Sequence, residues 1–426
     1  MNEVPKGLRL QIGIFGRTNV GKSSFLNMIC GQKTAITSCH PGTTTDVVEK
    51  TMELLPVGPV VLLDTAGVDD DSTLSADRME KTMKIFHRAD VAVIVIESGI
   101  FGEFEEKIIA ECRKNTIPVI AVLNKIDVRP PEPSFIEKIK SAIGQVISCS
   151  CLDMKNREHY ITDFKTALMQ ILPEGHLSSP SLISDLVPSG GMVILIVPID
   201  LEAPKGRLIL PQVQTIRDAL DNDASVIIVK EREYSHILEN LKRVPDLVVC
   251  DSQAVQKMIA DTPVSVKCTT FSILFARFKG DLNTLTKGLT VIDRLKPGDK
   301  VLIAEACSHH ALQDDIGRVK IPRWLRQYTG MDLTVDISSG RDYPSDMTGY
   351  KLIIHCGACM LTSREMHLRI RRAELDGIGV TNYGLCISFL HGVLKRVLSP
   401  FPAAWDVFER LSLSGKNEGV HPSAQS

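Results

Sequence analysis

The stretch Gly16-Arg17-Thr18-Asn19-Val20-Gly21-Lys22-Ser23 has the form G-x-x-x-x-G-K-S, and it joins a strand-like run from Leu8 (LRLQIGIF) to a helical one (KSSFLNMI). That placement is what a phosphate-binding loop requires. Glycines let backbone N–H groups turn inward around phosphate oxygens, and the N-terminus of the following helix adds positive potential. Lys22 is expected to neutralise the β- and γ-phosphate oxygens, and the Ser23 hydroxyl to ligate Mg²⁺. Gly16, Asn19, Val20, Gly21 and Ser24 complete the expected cradle. A glycine-rich turn alone can be a structural loop. Strand, full pattern and helix together point to a bound nucleotide.

Outward from this loop, short β-rich runs (VVLLD, VAVIVIE, IPVIAVLN, QVIS) alternate with runs of helical spacing (SADRMEKTMKIF, FEEKIIAECRK, SFIEKIKSAI). The alternation predicts an α/β domain over 8–173 with a mainly parallel sheet and helices on both faces. Further motifs stand at the strand ends. Asp64-Thr65-Ala66-Gly67 ends VVLLD. There Asp64 would hold Mg²⁺ through water, and the Gly67 N–H would sense the γ-phosphate. Asn124-Lys125-Ile126-Asp127 ends IPVIAVLN. The Asp127 carboxylate can accept both N–H donors of guanine, a pairing adenine cannot offer. Ser150-Cys151-Leu152 after QVIS resembles the Ser-Ala-Leu that closes over the guanine O6, with Ser148-Cys149 as the competing register. Between the first two motifs, Pro41-Gly42-Thr43-Thr44-Thr45-Asp46 offers Thr44 to complete the metal shell. The expectation is a catalytic site for GTP, not ATP.

The remaining chain predicts more than one further core. A Ser-, Pro- and Gly-rich stretch, 174–191, reads as a linker. A small α/β block, 192–262, has apolar strands MVILIVPID, SVIIVK and DLVVC, whose edges could pair across a dimer. A third block, 263–400, carries strands KVLIAE and YKLIIHC, helical runs IPRWLRQY and SREMHLRIRRAEL, and a final helix LCISFLHGVLKRVL; 401–426 reads as a polar tail. The basic positions Arg364, Arg369, Arg371 and Arg372 read as a solvated helix face, with contact to an acidic partner or RNA as the alternative. The net charge of -2 gives no general reason to expect nucleic-acid binding. No apolar run reaches membrane-spanning length and the first residues resemble no targeting peptide, so the expected location is the cytoplasm.

Eleven cysteines are more than such a chain requires. In a reducing compartment they are not expected to form structural disulfides. Cys30, Cys112, Cys250, Cys268 and Cys386 stand singly in apolar runs and read as small buried hydrophobes. Three others are grouped: Cys307-Ser308-His309 follows KVLIAEA, and His355-Cys356-Gly357-Ala358-Cys359 follows YKLII. Both groups stand beyond the C-terminal ends of strands, where ligand sites gather in open parallel sheets. Cys307, Cys356 and Cys359 suit a soft metal. On spacing alone, a four-ligand zinc and an iron–sulfur cluster remain open.

The nucleotide motifs resemble the Era and tRNA-modification branch of translation-factor-like GTPases. In such relatives an asparagine matching Asn19 helps bind K⁺ against the phosphates. Val68 follows Gly67, so a glutamine that orients water as in Ras is absent from that position. The resemblance therefore implies K⁺-stimulated hydrolysis. The GTPase motifs followed by C-x-H, residues 310–354, and then H-C-x-x-C resemble the FeFe-hydrogenase maturation GTPases of the HydF family over almost the whole chain. The resemblance implies a GTPase domain, a small dimerisation domain and a cluster domain. It implies a 4Fe–4S cluster on Cys307, Cys356 and Cys359, with His309 or His355, and less so Glu305, as candidates for the fourth iron. It also implies a homodimeric scaffold, without membrane or nucleic-acid partners. Such a scaffold receives a diiron precursor from HydE and HydG and delivers it to apo-hydrogenase. The alternative class is an Era-like GTPase with a zinc module acting on RNA or the ribosome. Aromatic residues, the stacking platforms such a protein needs, make up only 5%.

Overall fold

The computed structural model describes residues 6–31, 48–64, 76–172, 181–198, 208–306, 315–340, 343–344 and 346–417. Thr44, Gly67, Cys307 and His309 therefore lie outside the described residues, as do Thr65, Ala66 and Val68. The chain divides into two compact units, residues 1–179 and 180–426.

The first unit is built on a six-stranded sheet in the order β2-β3-β1-β4-β5-β6. Its strands are β1 (Leu10–Phe15), β2 (Val48–Leu54), β3 (Gly58–Asp64), β4 (Val91–Glu97), β5 (Val119–Asn124) and β6 (Gln145–Ser148). All pairings are parallel except β2 with β3. Strands β1 and β4 are apolar almost throughout because both faces of the sheet are covered. Val91, Val93 and Val95 pack with Phe25 and Phe164 on one face, while Ala92, Ile94 and Ile96 pack with Ile85 and Ile109 on the other. The two-residue period of a strand thus feeds two cores at once. Strand β2 escapes the sequence pattern because VEKTMEL is an edge strand with a largely polar face.

The second unit holds two four-stranded, all-parallel sheets, in the orders β10-β9-β7-β8 and β12-β11-β13-β14. The first comprises β7 (Met192–Ile196), β8 (Ser225–Val229), β9 (Leu247–Cys250) and β10 (Lys267–Thr270). The second comprises β11 (Lys300–Ala304), β12 (Thr334–Ser338), β13 (Tyr350–His355) and β14 (Gly379–Asn382). Strand β10 carries the first of these sheets past residue 262, where the sequence pattern places a boundary. One continuous apolar core runs through both sheets.

Three features depart from the sequence pattern. Within the stretch read as a linker, Leu182, Ile183 and Val187 are buried in the core of the second unit, and Asp218 accepts from the N–H groups of Ile183 and Ser184 at 2.7 and 2.8 Å. The stretch read as a polar tail contains a helix, Pro402–Asn417, whose Ala404 is buried and whose Trp405 and Phe408 pack on the core. The final helix is broken into Tyr383–Leu390 and Leu394–Val397, with Gly392 at φ 71° between them. Cys112, Cys250, Cys268 and Cys386 are fully buried, as expected of small hydrophobes. Among the described residues, no helix is long and apolar enough to cross a membrane.

Candidate functional site

The nucleotide motifs gather at the C-terminal ends of β1, β3, β5 and β6, where a parallel sheet places its ligands. The loop after β1 leads into helix α1 (Lys22–Cys30). Two glycines in that loop are required by geometry. A Cβ on Gly16 would meet the Val95 carbonyl oxygen at 2.4 Å, and one on Gly21 would meet Asn124 Nδ2 at 2.2 Å. Gly21 also has φ 97°, and Asn19 takes the left-handed conformation at φ 64°, which Asn tolerates better than most residues. Lys22 Nζ donates to the carbonyl oxygens of Gly16 at 2.7 Å and Arg17 at 2.9 Å, so its ammonium lies across the cradle. Ser23 and Ser24 are exposed at the start of α1.

Asp64 ends β3 in register with Ile14 of β1, two residues before Gly16. Its carboxylate is buried close to the start of the phosphate loop. A buried carboxylate there and a serine hydroxyl at the helix start make a donor set that fits Mg²⁺. Asn124, which ends β5, is also buried. Its Nδ2 donates to the Val20 carbonyl at 2.8 Å, and its Oδ1 accepts from the Cys151 N–H at 3.2 Å. One carboxamide thus joins the phosphate loop to the segment after β6. Lys125, at φ 60°, turns the chain so that Asp127 is exposed, and its ammonium pairs with Glu97 at 2.6 Å. Ser150 is buried, and Asn124 Oδ1 is met from both registers, by the Cys151 N–H at 3.2 Å and by the Cys149 Sγ at 3.9 Å. The Cys149 and Cys151 sulfurs lie 4.0 Å apart, and the Cys151 contact together with burial raises the Cys149 thiol far above its ordinary range.

A feature of this site absent from the sequence pattern is the clamp on Arg17. Its guanidinium makes two hydrogen bonds to Glu105, at 2.7 and 2.8 Å, and stands 5.7 Å from the Phe104 ring. Glu105 also accepts from the Gly102 N–H at 2.9 Å. Burial alone would raise this carboxyl, but the Arg17 and Gly102 hydrogen bonds outweigh it and hold it below its ordinary value. The partners are 88 residues apart, and no local motif links them.

In the second unit, β11 and β13 are neighbours, so the segments after Ala304 and after His355 leave the sheet side by side. Cys356 is fixed by both. Its N–H donates to the Ala304 carbonyl at 3.0 Å, and its Sγ accepts from the N–H of Ala306 at 3.0 Å. Ala306 is the residue before Cys307. The loop then turns through Ala358 at φ 52° to Cys359. Lys279, at the end of the helix Phe271–Lys279, is 1% exposed and donates to the carbonyls of Ala358, Cys359 and Leu361 at 3.2, 3.0 and 2.5 Å. Burial pulls its ammonium down to about 8, against the raising influence of Cys359, Glu365 and Cys356. The Cys359 thiol is raised by burial, opposed by Lys279 and by the Cys359 and Met360 N–H groups.

The other candidates behave differently. His355 is fully buried and stacks on Tyr343 with ring centroids 5.7 Å apart; among the described residues, neither ring nitrogen has a hydrogen-bond partner. Burial and the Arg369 charge hold its ring well below its ordinary value, hence neutral. Glu305 is buried and committed elsewhere, accepting from Arg318 at 2.9 Å and Ser339 at 3.0 Å. Arg371 and Arg372 are exposed as the solvated-face reading predicts, but Arg369 is not part of that face: its guanidinium lies 4.4 Å from the Tyr343 ring centroid. Among the described residues, no three His, Cys, Asp or Glu side chains form a metal-binding group. The half-buried Cys356 and Cys359 with N–H donors, Lys279 and Arg369 near them still make an electropositive thiol pair, which fits thiolate ligation of an anionic cluster.

A model described as a 50S ribosome-binding GTPase matches residues 11–125. The hydrogen maturase F dimerization domain matches 182–280, and the hydrogen maturase F tetramerization domain matches 283–400. GTPase Der of Wolinella succinogenes is 35% identical over 142 residues, which are 32% of this chain and 30% of Der. The tRNA modification GTPase MnmE of a Synechococcus strain is 40% identical over 142 residues, again 32% of this chain and 30% of that protein. The chain thus spans less than a third of these curated relatives. Among solved structures, a variant of Aquifex aeolicus Era matches with a TM-score of 0.32 at 20% identity, covering 59% of this chain and 97% of that one. With its first unit folded as a P-loop GTPase domain and both hydrogen maturase F domains following in order, the chain belongs to the hydrogen maturase F family.

Proposed function

We propose that this protein is a GTP-hydrolysing scaffold that holds a 4Fe–4S cluster and carries a diiron precursor to apo FeFe-hydrogenase. The GTPase half rests on the assembly around Asn124, where one side chain ties the phosphate loop to the base-closing segment. Lys22 would leave the Gly16 and Arg17 carbonyls for the β- and γ-phosphate oxygens, and Asp127 would accept the two guanine donors. Mg²⁺, when bound, supplies charge neutralisation at the phosphates, held by Ser23, Thr44 and Asp64. Hydrolysis is then in-line attack of water on the γ-phosphate, giving GDP and phosphate, with catalysis by positioning and electrostatics. K⁺ beside Asn19 would add the charge that an arginine finger brings elsewhere.

The scaffold half rests on one observation: the Cys356 sulfur sits on the N–H of Ala306, the residue preceding Cys307. That contact brings the start of the first cysteine segment to the H-C-x-x-C loop. Cys307, Cys356 and Cys359 would hold the cluster, with His309 or His355 as candidates at the fourth iron. When bound, the cluster supplies an electron reservoir and an iron whose remaining position can meet cargo. HydE and HydG would provide the precursor, and the nucleotide state would regulate their docking or cargo release rather than the cluster chemistry. The two hydrogen maturase F domains support self-assembly of the chain, as a dimer or higher oligomer. The proposed domains follow the same order: GTPase, dimerisation and cluster.

Protein purified without oxygen tests this reading by iron, zinc and acid-labile sulfide analysis with EPR of the reduced sample. About four irons and four sulfides per chain are expected, lost on replacing Cys307, Cys356 and Cys359 by Ala. One zinc without sulfide, even after reconstitution, would overturn the scaffold reading in favour of an RNA-directed GTPase.

A further inference from the structure

Lys279 is a buried cation whose hydrogen-bond partners are all neutral carbonyls, and among the described residues no carboxylate pairs with it. Its three bonds go to residues 358, 359 and 361, which surround the second thiol of the H-C-x-x-C loop. Its own carbonyl accepts from Ser363 Oγ at 3.0 Å, so the lysine is tied to the loop from both ends. The ammonium also lies 5.9 Å from the Phe275 ring centroid. Burying a charge among neutral dipoles is costly unless opposite charge lies close. A neutral donor could have held these carbonyls at lower cost. The acidic groups close enough to act on Lys279 are the thiols of Cys359 and Cys356 and the carboxyl of Glu365.

We propose that Lys279 is the positioning residue of the thiolate loop: its three hydrogen bonds set the place of Cys359, and its charge offsets that of the thiolate-bound cluster. This rests on the cluster reading above. Two consequences are separable. Without the hydrogen bonds, the Cys359 loop loosens even in the metal-free chain. Without the charge, the reduced cluster, which carries one more electron than the oxidised form, loses a compensating cation. Its reduction then becomes harder.

The test uses the full chain with Lys279→Arg, Lys279→Gln and Lys279→Met. In the metal-free proteins, alkylation of Cys359 by iodoacetamide is followed by mass spectrometry, with circular dichroism to verify folding. The Met variant is expected to label about fivefold faster than wild type, and the Arg variant at near the wild-type rate. In reconstituted protein, an EPR-monitored titration is expected to show the reduced-to-oxidised ratio of the Gln variant about tenfold lower at the wild-type midpoint, a shift of 59 mV for a one-electron couple. The Arg variant is expected to stay within threefold. Wild-type labelling in a folded Met variant would overturn the positioning role, and a wild-type midpoint in the Gln variant would overturn the electrostatic one. Should the Met variant not fold, Lys279→Ala takes its place in the labelling test, with faster labelling of Cys359 expected and wild-type labelling overturning the positioning role. A wild type that takes up no iron and sulfide would defeat the cluster reading, while the labelling rates would still decide whether Lys279 positions the loop.

Discussion

Asn124 Nδ2 lies 2.8 Å from the carbonyl oxygen of Val20, a hydrogen bond between the end of β5 and the heart of the phosphate loop, 104 residues earlier. The same carboxamide accepts from the Cys151 N–H at 3.2 Å. Asn124 thus ties the phosphate loop to the segment after β6 through one carboxamide. Replacing Asn124 by Ala removes both bonds and leaves buried backbone groups unpaired. At about 1–1.5 kcal/mol each, the loss should weaken GDP binding roughly thirty- to a hundred-and-fiftyfold. Titration with a fluorescent GDP analogue measures it. An unchanged affinity in a folded variant would show that the phosphate loop holds its shape unaided.

The Arg17–Glu105 clamp predicts a pH dependence. The folded-state carboxyl of Glu105 is held below the ordinary glutamate value. A depressed carboxylate contributes stability that is fully present above the unfolded-state value and is lost as pH falls through the folded one. Wild-type protein should therefore lose more thermal stability than Glu105→Gln between about pH 5 and the acid limit of folding, and the two should run parallel above that range. Differential scanning calorimetry across the range gives the comparison. Equal slopes in acid would mean that Glu105 titrates normally and the clamp has no net effect.

The GTPase motifs were legible because phosphate and guanine chemistry demands fixed residues at fixed spacing, on strand ends that apolar runs such as VAVIVIE mark plainly. What escaped the sequence had weak local signal or distant partners. Strands β10 (KCTT), β12 (TVDIS) and β14 (GVTN) are four or five residues long and rich in polar residues, so no alternation marks them. Arg369 reads as one more charge on a basic helix until Tyr343, 26 residues away, comes to lie beneath it. Lys279 looks like an ordinary basic residue at a helix end, since its carbonyl partners lie 79 to 82 residues downstream. The segment 181–191 reads as a linker because Ser, Pro and Gly outnumber the Leu182, Ile183 and Val187 that the core buries.

Asn19 provides a test of the monovalent cation. It is exposed in the phosphate loop with φ 64°, so its carboxamide can reach a ligand while its backbone helps curve the cradle. Should K⁺ supply here the charge that an arginine finger brings elsewhere, replacing KCl by NaCl at constant ionic strength should slow hydrolysis at least tenfold. Asn19→Asp should alter that cation dependence, and Asn19→Ala should abolish it. Phosphate release under each salt is the readout. Equal rates in both salts would remove K⁺ from the mechanism while leaving the nucleotide site intact.

Glu305 separates structural support from metal ligation. As the residue two before Cys307 it is a candidate carboxylate for the cluster, yet its oxygens are engaged by Arg318 and Ser339. The contact between Arg318 and Glu305 is 2.9 Å long and links residues 13 apart in the sequence. Replacing Glu305 by Gln keeps a comparable shape but removes the charge from a buried ion pair. The expected cost is about 2 kcal/mol, from the loss of hydrogen bonds to a charged group, seen as a fall of several degrees in Tm. Iron and sulfide content after reconstitution, and the EPR signal of the reduced sample, should stay as in wild type. Cys359→Ala should show the reverse pattern, with metal lost and folding retained. If Glu305→Gln instead changes the EPR signal or halves the iron content while Tm holds, the carboxylate reaches the cluster, and its bond to Arg318 must break when the cluster binds.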